Sequence, residues 1–190
     1  MKDFANYHIN IINSYILKYD YKSYLEIGID EGICFMQISC QYKIGVDPNS
    51  ESHCVTHKMT SDEFFLQNRK TFDLIFIDGL HHSEQVTKDI ENAIKFLNNG
   101  GTIIVHDCLP KDEIEQIIPR QTKVWTGDVW KSWVKFRNRP DLRMHVFDVD
   151  YGIGIIQKGS QIPFYIEDKD LTWENFQKNK EIWLNLVSYA

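Results

Sequence analysis

The chain has 190 residues, 43% of them apolar, and a formal net charge of −6 at pH 7. That is enough apolar material for one substantial core in a single domain, and the acidic balance argues against a nucleic-acid backbone as main partner, because phosphate contacts need a basic surface. Cys34, Cys40, Cys54 and Cys108 show no C-x-x-C spacing, which leaves no zinc or redox-pair signature and reads as free thiols in a reducing, cytoplasmic compartment.

At the N-terminus there is no long apolar run with a small-residue cleavage site, so no signal peptide is expected. Nothing approaches the roughly 20 apolar residues that a membrane-spanning helix needs. Residues 3–19 predict an amphipathic helix, with Phe4, His8, Ile11, Ile12, Tyr15, Ile16 and Tyr19 at helical spacing. Short apolar runs then alternate with helical patterns. Strands are expected at 23–28, 43–47, 54–58, 72–78 and 102–106, and helices at 32–40, 62–68 and 84–97. The runs LIFID and TIIVHD are continuously apolar, the pattern of strands covered on both faces of a parallel sheet. NNGG at 98–101 turns the chain from helix to strand.

Beyond Pro110, Val129, Trp130, Trp133 and Val134 share one helical face, with Lys131, Lys135 and Arg139 on the other. This reads as core packing beside the site rather than as an RNA-binding helix. Runs at 144–149 and 152–157, joined through Asp150-Tyr151, predict a hairpin, and 172–188 a last amphipathic helix. The sum is a doubly wound α/β domain in one piece, with its core at 22–158.

In such sheets ligands bind beyond the carboxyl ends of the strands. The first strand runs through Glu26 into a turn, Gly28-Ile29-Asp30-Glu31-Gly32. That turn lacks the G-x-G-x-x-G spacing of a dinucleotide phosphate cradle. Asp47 ends the next strand, placed to accept hydrogen bonds from the vicinal hydroxyls of a ribose, which suits NAD and S-adenosylmethionine equally. The latter has no pyrophosphate, so the looser E-x-G-x-x-x-G favours it. Asp78, His81 and His82 follow the fourth expected strand, and His106 with Asp107 end the fifth.

YLEIGIDEGI, KIGVDP, MTSDEFF, FDLIFIDGLHHSEQVTKDIENAIKFLNNGGTIIVHD and DYGIGII, spread over residues 22–158, together resemble the class I S-adenosylmethionine-dependent methyltransferases, above all a small group with an I-D-G-x-H signature. The resemblance implies a Rossmann-like, doubly wound seven-stranded sheet, mostly parallel, with an antiparallel C-terminal hairpin. It implies that Glu26, Gly28, Ile29, Gly32, Asp47 and Asp78 form the cofactor site, with Ser61 and Asp62 near the adenine. Methyl transfer to a hydroxyl needs an aligned acceptor and a proton sink. His81 is the candidate general base, His82 its understudy, and Asp107 an orienting or acceptor-binding group.

In metal-dependent relatives, residues matching Asp78, His106 and Asp107 hold magnesium. Here His106 replaces an acid, and Cys108 stands where catechol-type relatives have an asparagine, a poorer set for an oxygen-seeking ion. The turn also departs from the pattern, with Asp30 where many relatives have a third glycine. The expected activity is O-methylation of a small polar acceptor such as a sugar or natural-product hydroxyl, with homo-oligomerisation open. A non-catalytic cofactor-binding module and an NAD-type oxidoreductase are the alternatives.

Overall fold

The computed structural model describes residues 7–189; the expected helix start at 3–6 lies outside them. The order is α1 (Tyr7–Tyr19), β1 (Ser23–Ile27), α2 (Ile33–Gln37), β2 (Tyr42–Val46), α3 (Ser61–Gln67), β3 (Phe72–Ile77), α4 (Ser83–Phe96) and β4 (Leu97–Val105). Then follow α5 (Val129–Phe136), β5 (Leu142–Phe147), β6 (Ile153–Lys158), α6 (Trp173–Leu184) and β7 (Leu186–Val187). One seven-stranded sheet runs β2-β1-β3-β4-β6-β5-β7. The four strands from β2 to β4 are parallel, and β6 is antiparallel to both β4 and β5. The Rossmann-like, seven-stranded expectation is met.

Continuous apolar strands are explained by cover on both faces. Leu25, Ile27, Ile75, Ile77, Ile103 and Val105 pack toward α4, α5 and α6, where Trp130, Trp133, Phe176 and Trp183 are buried. Tyr24, Leu74, Phe76 and Ile104, the alternate positions, pack toward α1 and α2. Each strand residue therefore loses apolar area to one helical layer or the other. Phe176 and Trp183 of the last helix are buried in this core, whereas Tyr165 is exposed.

Two expectations are corrected. Residues 54–58 form no strand; only a bridge links Val46 and His57. Thr56 Oγ1 accepts from Gly45 N and donates to Gly45 O, both at 3.0 Å. The Thr56 side chain thus takes the Gly45 N–H that a further strand would use, while Thr56 N and His57 N both converge on Gly45 O (3.0 Å each), so no regular ladder forms. The seventh strand instead comes from the C-terminus: the helix expected over 172–188 stops at Leu184, Asn185 turns it in a left-handed conformation, and Leu186–Val187 pair parallel to β5.

Candidate active site

At the carboxyl ends of β1 to β4 lies a cavity of about 760 Å³, lined among others by Gly28, Asp30, Asp47, Ser61, Asp62, Asp78, Leu80, His81, Gln85, Asp89, His106, Asp107, Arg120 and Trp125. Six aspartates and a single arginine line it, so its field favours cationic or hydroxyl-bearing guests.

On the β2 side, Asp47 Oδ2 accepts from the backbone N–H of Ile29 (3.0 Å) and Asp30 (3.1 Å), and Oδ1 from Asn49 and Ser50 (both 2.8 Å). Burial opposes its charge, yet these donors hold its carboxyl below the usual value. Asp47 thus ties the glycine turn to the loop after β2. Gly28 is required where it stands: its φ is +91°, and a Cβ would lie 2.0 Å from Asp78 O. Gln85 Nε2 donates to Ser61 Oγ (3.1 Å), Asp62 Oδ1 (3.0 Å) and Asp89 Oδ1 (3.1 Å), joining α3 to α4 at the cavity wall. Burial lifts Asp89 to about 6.

On the β3–β4 side four titratable groups converge. His81 Nε2 is 3.1 Å from Asp78 Oδ1, and its Nδ1 is 3.2 Å from Asp107 Oδ2. His106 Nδ1 is 3.2 Å from Asp78 Oδ1. Burial alone would push His81 down, but the hydrogen bond and charge of Asp78, then Asp107, hold it above the ordinary imidazole value. The same opposition leaves His106 well above it, through Asp107 and Asp78. Burial works against Asp78 too, and His106 and His81 keep it well below the carboxylate range, whereas burial lifts Asp107 to about 6. His81 and Asp107 both have left-handed backbones, φ 58° and 61°, the kind of strain that surrounding packing must maintain.

Most expected site residues come together in this cavity, but four do not line it. Glu26 points to the α1–α2 face, accepts a hydrogen bond from Tyr24 Oη and is 1% exposed. Burial raises its carboxyl to about 8. Ile29 is buried against Gly45, and Gly32 caps α2. His82 occupies the N-cap position of α4 without a side-chain cap and packs edge-on to Trp125. Of the residues expected to hold a metal, Asp78 and Asp107 bring ligand atoms within 4.8 Å of one another and of His81, and His106 Nδ1 lies 3.2 Å from Asp78 Oδ1 and 3.7 Å from Asp107 Oδ2.

Residues that the sequence did not single out hold His81 in place. Trp125 stacks on its ring, with centroids 5.3 Å apart. Asp128 N donates to His81 O (3.2 Å), and the Asp128 carboxylate accepts from Ser83 N (2.6 Å) and Ser83 Oγ (3.0 Å) at the start of α4. Neither carried a signal in the sequence beyond lying just ahead of the helical face at 129–134. Among the described residues, no helix is long and apolar enough to cross a membrane.

A family model described as a methyltransferase domain matches residues 41–108, a little over a third of the chain. No curated protein is similar enough to count as a match. Among solved structures, the SAH-bound methyltransferase PaMTH1 from Podospora anserina superposes with a TM-score of 0.62 at 12% identity, over 80% of this chain and 78% of that one. An O-methyltransferase from Bacillus cereus in complex with SAH gives 0.58 at 15% identity, over 81% and 80%. The O-methyltransferase TomG from Streptomyces achromogenes, in complex with SAM, gives 0.60 at 12%, over 84% of each chain. At these identities the likeness is one of fold.

Proposed function

We propose that this chain, which shares its fold with solved methyltransferases and matches a methyltransferase domain across residues 41–108, is a class I S-adenosylmethionine-dependent O-methyltransferase acting on a small hydroxyl acceptor. The observation that carries this reading is His81, held between Asp78 and Asp107 at one end of a cavity whose other end is Asp47 and the glycine turn. Bound S-adenosylmethionine would supply a methyl group on a sulfonium centre with a good leaving group. Asp47 then accepts from the ribose hydroxyls by sharing oxygens already engaged by backbone N–H groups. Ser61, Asp62 and Gln85 line the adenine end. Leu80 and Trp125 position the acceptor, and neutral His81 takes its proton.

The mutual approach of Asp78, His81 and Asp107 supports a second reading of the same end. The three would hold a divalent cation that polarises the acceptor hydroxyl, with His81 a ligand rather than the base. Two carboxylates and an imidazole suit manganese or iron as well as magnesium.

Calorimetric titration of S-adenosylmethionine into chelator-stripped protein, with and without magnesium or manganese, tests both. Micromolar binding weakened by Asp47→Ala supports the cofactor assignment; no binding in any buffer overturns it. Transfer of a radiolabelled methyl group in chelator that is lost in His81→Ala supports His81 as base, and transfer only with added cation supports the ligand reading.

A further inference from the structure

Beside the cavity, three side chains from distant parts of the chain meet. His8 lies in the first turns of α1, His106 just after β4, and Asp150 in the turn between β5 and β6 with a left-handed backbone, φ 48°. One ligand atom from each lies within 4.8 Å of the others. Neither His8 nor Asp150 lines the cavity, and the methyl-transfer reading uses neither.

The neighbours of each side chain set which atoms face the site. His106 Nδ1 faces Asp78 Oδ1 at 3.2 Å, which directs its Nε2 away from the cavity cluster. That Nε2 is buried without a hydrogen-bond partner. It lies 3.7 Å from Asp150 Oδ1, too long for a hydrogen bond. This is close to the roughly 3.4 Å that separates two tetrahedral ligands each about 2.0–2.1 Å from one zinc ion. Asp150 is held in turn: its Oδ2 accepts from His8 N (3.1 Å) and meets His8 Nδ1 at 2.6 Å. The His8 ring is steadied by stacking on Phe76, with 6° between the planes.

We propose that His8, His106 and Asp150 form a transition-ion site of the zinc class, separate from the Asp78–His81–Asp107 cluster. Two imidazoles and one carboxylate are a three-ligand zinc set. The Asp78–His106 pair reproduces the carboxylate–histidine arrangement that orients a metal-binding ring and raises its basicity. The buried Nε2 without a partner is the atom such an ion would engage. Side-chain exposures of 18%, 12% and 8% for His8, His106 and Asp150 leave the site within reach of solvent. An ion here would pin α1 to the β5–β6 turn across the end of the sheet. Nothing in this depends on the methyl-transfer reading.

The test is zinc titration of the chelator-stripped full chain against a competing chromophoric chelator, together with thermal denaturation and anomalous diffraction at the zinc edge. The variant His81→Ala/Asp107→Asn removes the neighbouring cluster but keeps Asp78 behind His106. It is expected to bind one equivalent of zinc, with a raised Tm and an anomalous peak among His8, His106 and Asp150. His8→Gln and Asp150→Asn, introduced separately into that background, should each weaken binding by about 100-fold or more, since even outer partners of a ligand contribute 10–100-fold. Zinc affinity indifferent to both substitutions, a peak only among Asp78, His81 and Asp107 in the unmutated protein, or no binding by either would overturn the proposal. Should one substitution prevent folding, the other and the diffraction peak still decide.

Discussion

Gly127 stands so close to His81 that a Cβ on it would lie 1.9 Å from His81 O and 2.7 Å from His81 Cβ. Gly127 also has φ +57°, where a side chain is strained in any case. The loop before α5 thus sets the position of the catalytic candidate by backbone contact. Gly127→Ala is expected to lower methyl transfer by about 100-fold, as misplacement by about 1 Å can, and stability by about 1–3 kcal/mol. S-Adenosylmethionine binding should change only a few-fold. Kinetics alongside calorimetry checks this; equal losses in both would mean that the loop supports the whole cavity.

If His81 is the base, only its neutral form is active. Its value lies above the ordinary 6.5, so kcat/KM in chelator should rise with pH to a midpoint above 6.5. Asp107 is one of the anions that favour the imidazolium. Asp107→Asn should therefore move that midpoint to lower pH, whatever it does to the plateau. A midpoint unmoved or moved upward argues that another group is titrating.

Asp47 gathers four backbone N–H donors, so it stabilises the fold as well as the proposed cofactor site. Its folded value is below 3.8. The stabilisation is therefore complete above the unfolded value of 3.8 and lost as pH falls through the lower folded one. Asp47→Asn should lower Tm at neutral pH, and the gap to the parent should close in strong acid. A gap that persists there would place the effect in lost geometry rather than lost charge.

Glu26 runs the other way. Its carboxyl is raised from 4.5 to about 8 by burial, so the folded state holds a proton that the unfolded chain releases. Stability from this group is full below 4.5 and falls as pH rises toward 8, by at most about 1.4 kcal/mol per pH unit. Glu26→Gln can still accept from Tyr24 Oη and should flatten the loss of stability between pH 5 and 8, seen in urea midpoints across that range. Should the variant lose stability equally at every pH, the residue is needed for shape and not for its proton.

The class of fold was legible because it rests on local periodicity. Continuous apolar runs in β3 and β4, amphipathic α4 and the paired runs about Asp150 and Tyr151 specify buried parallel strands, covering helices and a hairpin without reference to distant contacts. Strand-end logic likewise pointed to Asp47, Asp78, His81 and Asp107, which line one cavity, since the carboxyl edge of such a sheet is where its loops meet. Three matters needed the tertiary structure. Glu26 belongs to the sheet face rather than the cavity, because strand alternation puts it with Tyr24 under α1 and α2. Thr56 ends the sheet beyond β2 and the C-terminus supplies the last strand, an outcome decided by which groups reach Gly45 and β5. Which of His81 and His82 lines the cavity, and the meeting of His8 with Asp150 across 142 positions, depend on side-chain direction and long-range closure. Neither has a local signature, because both arise only when separate elements pack.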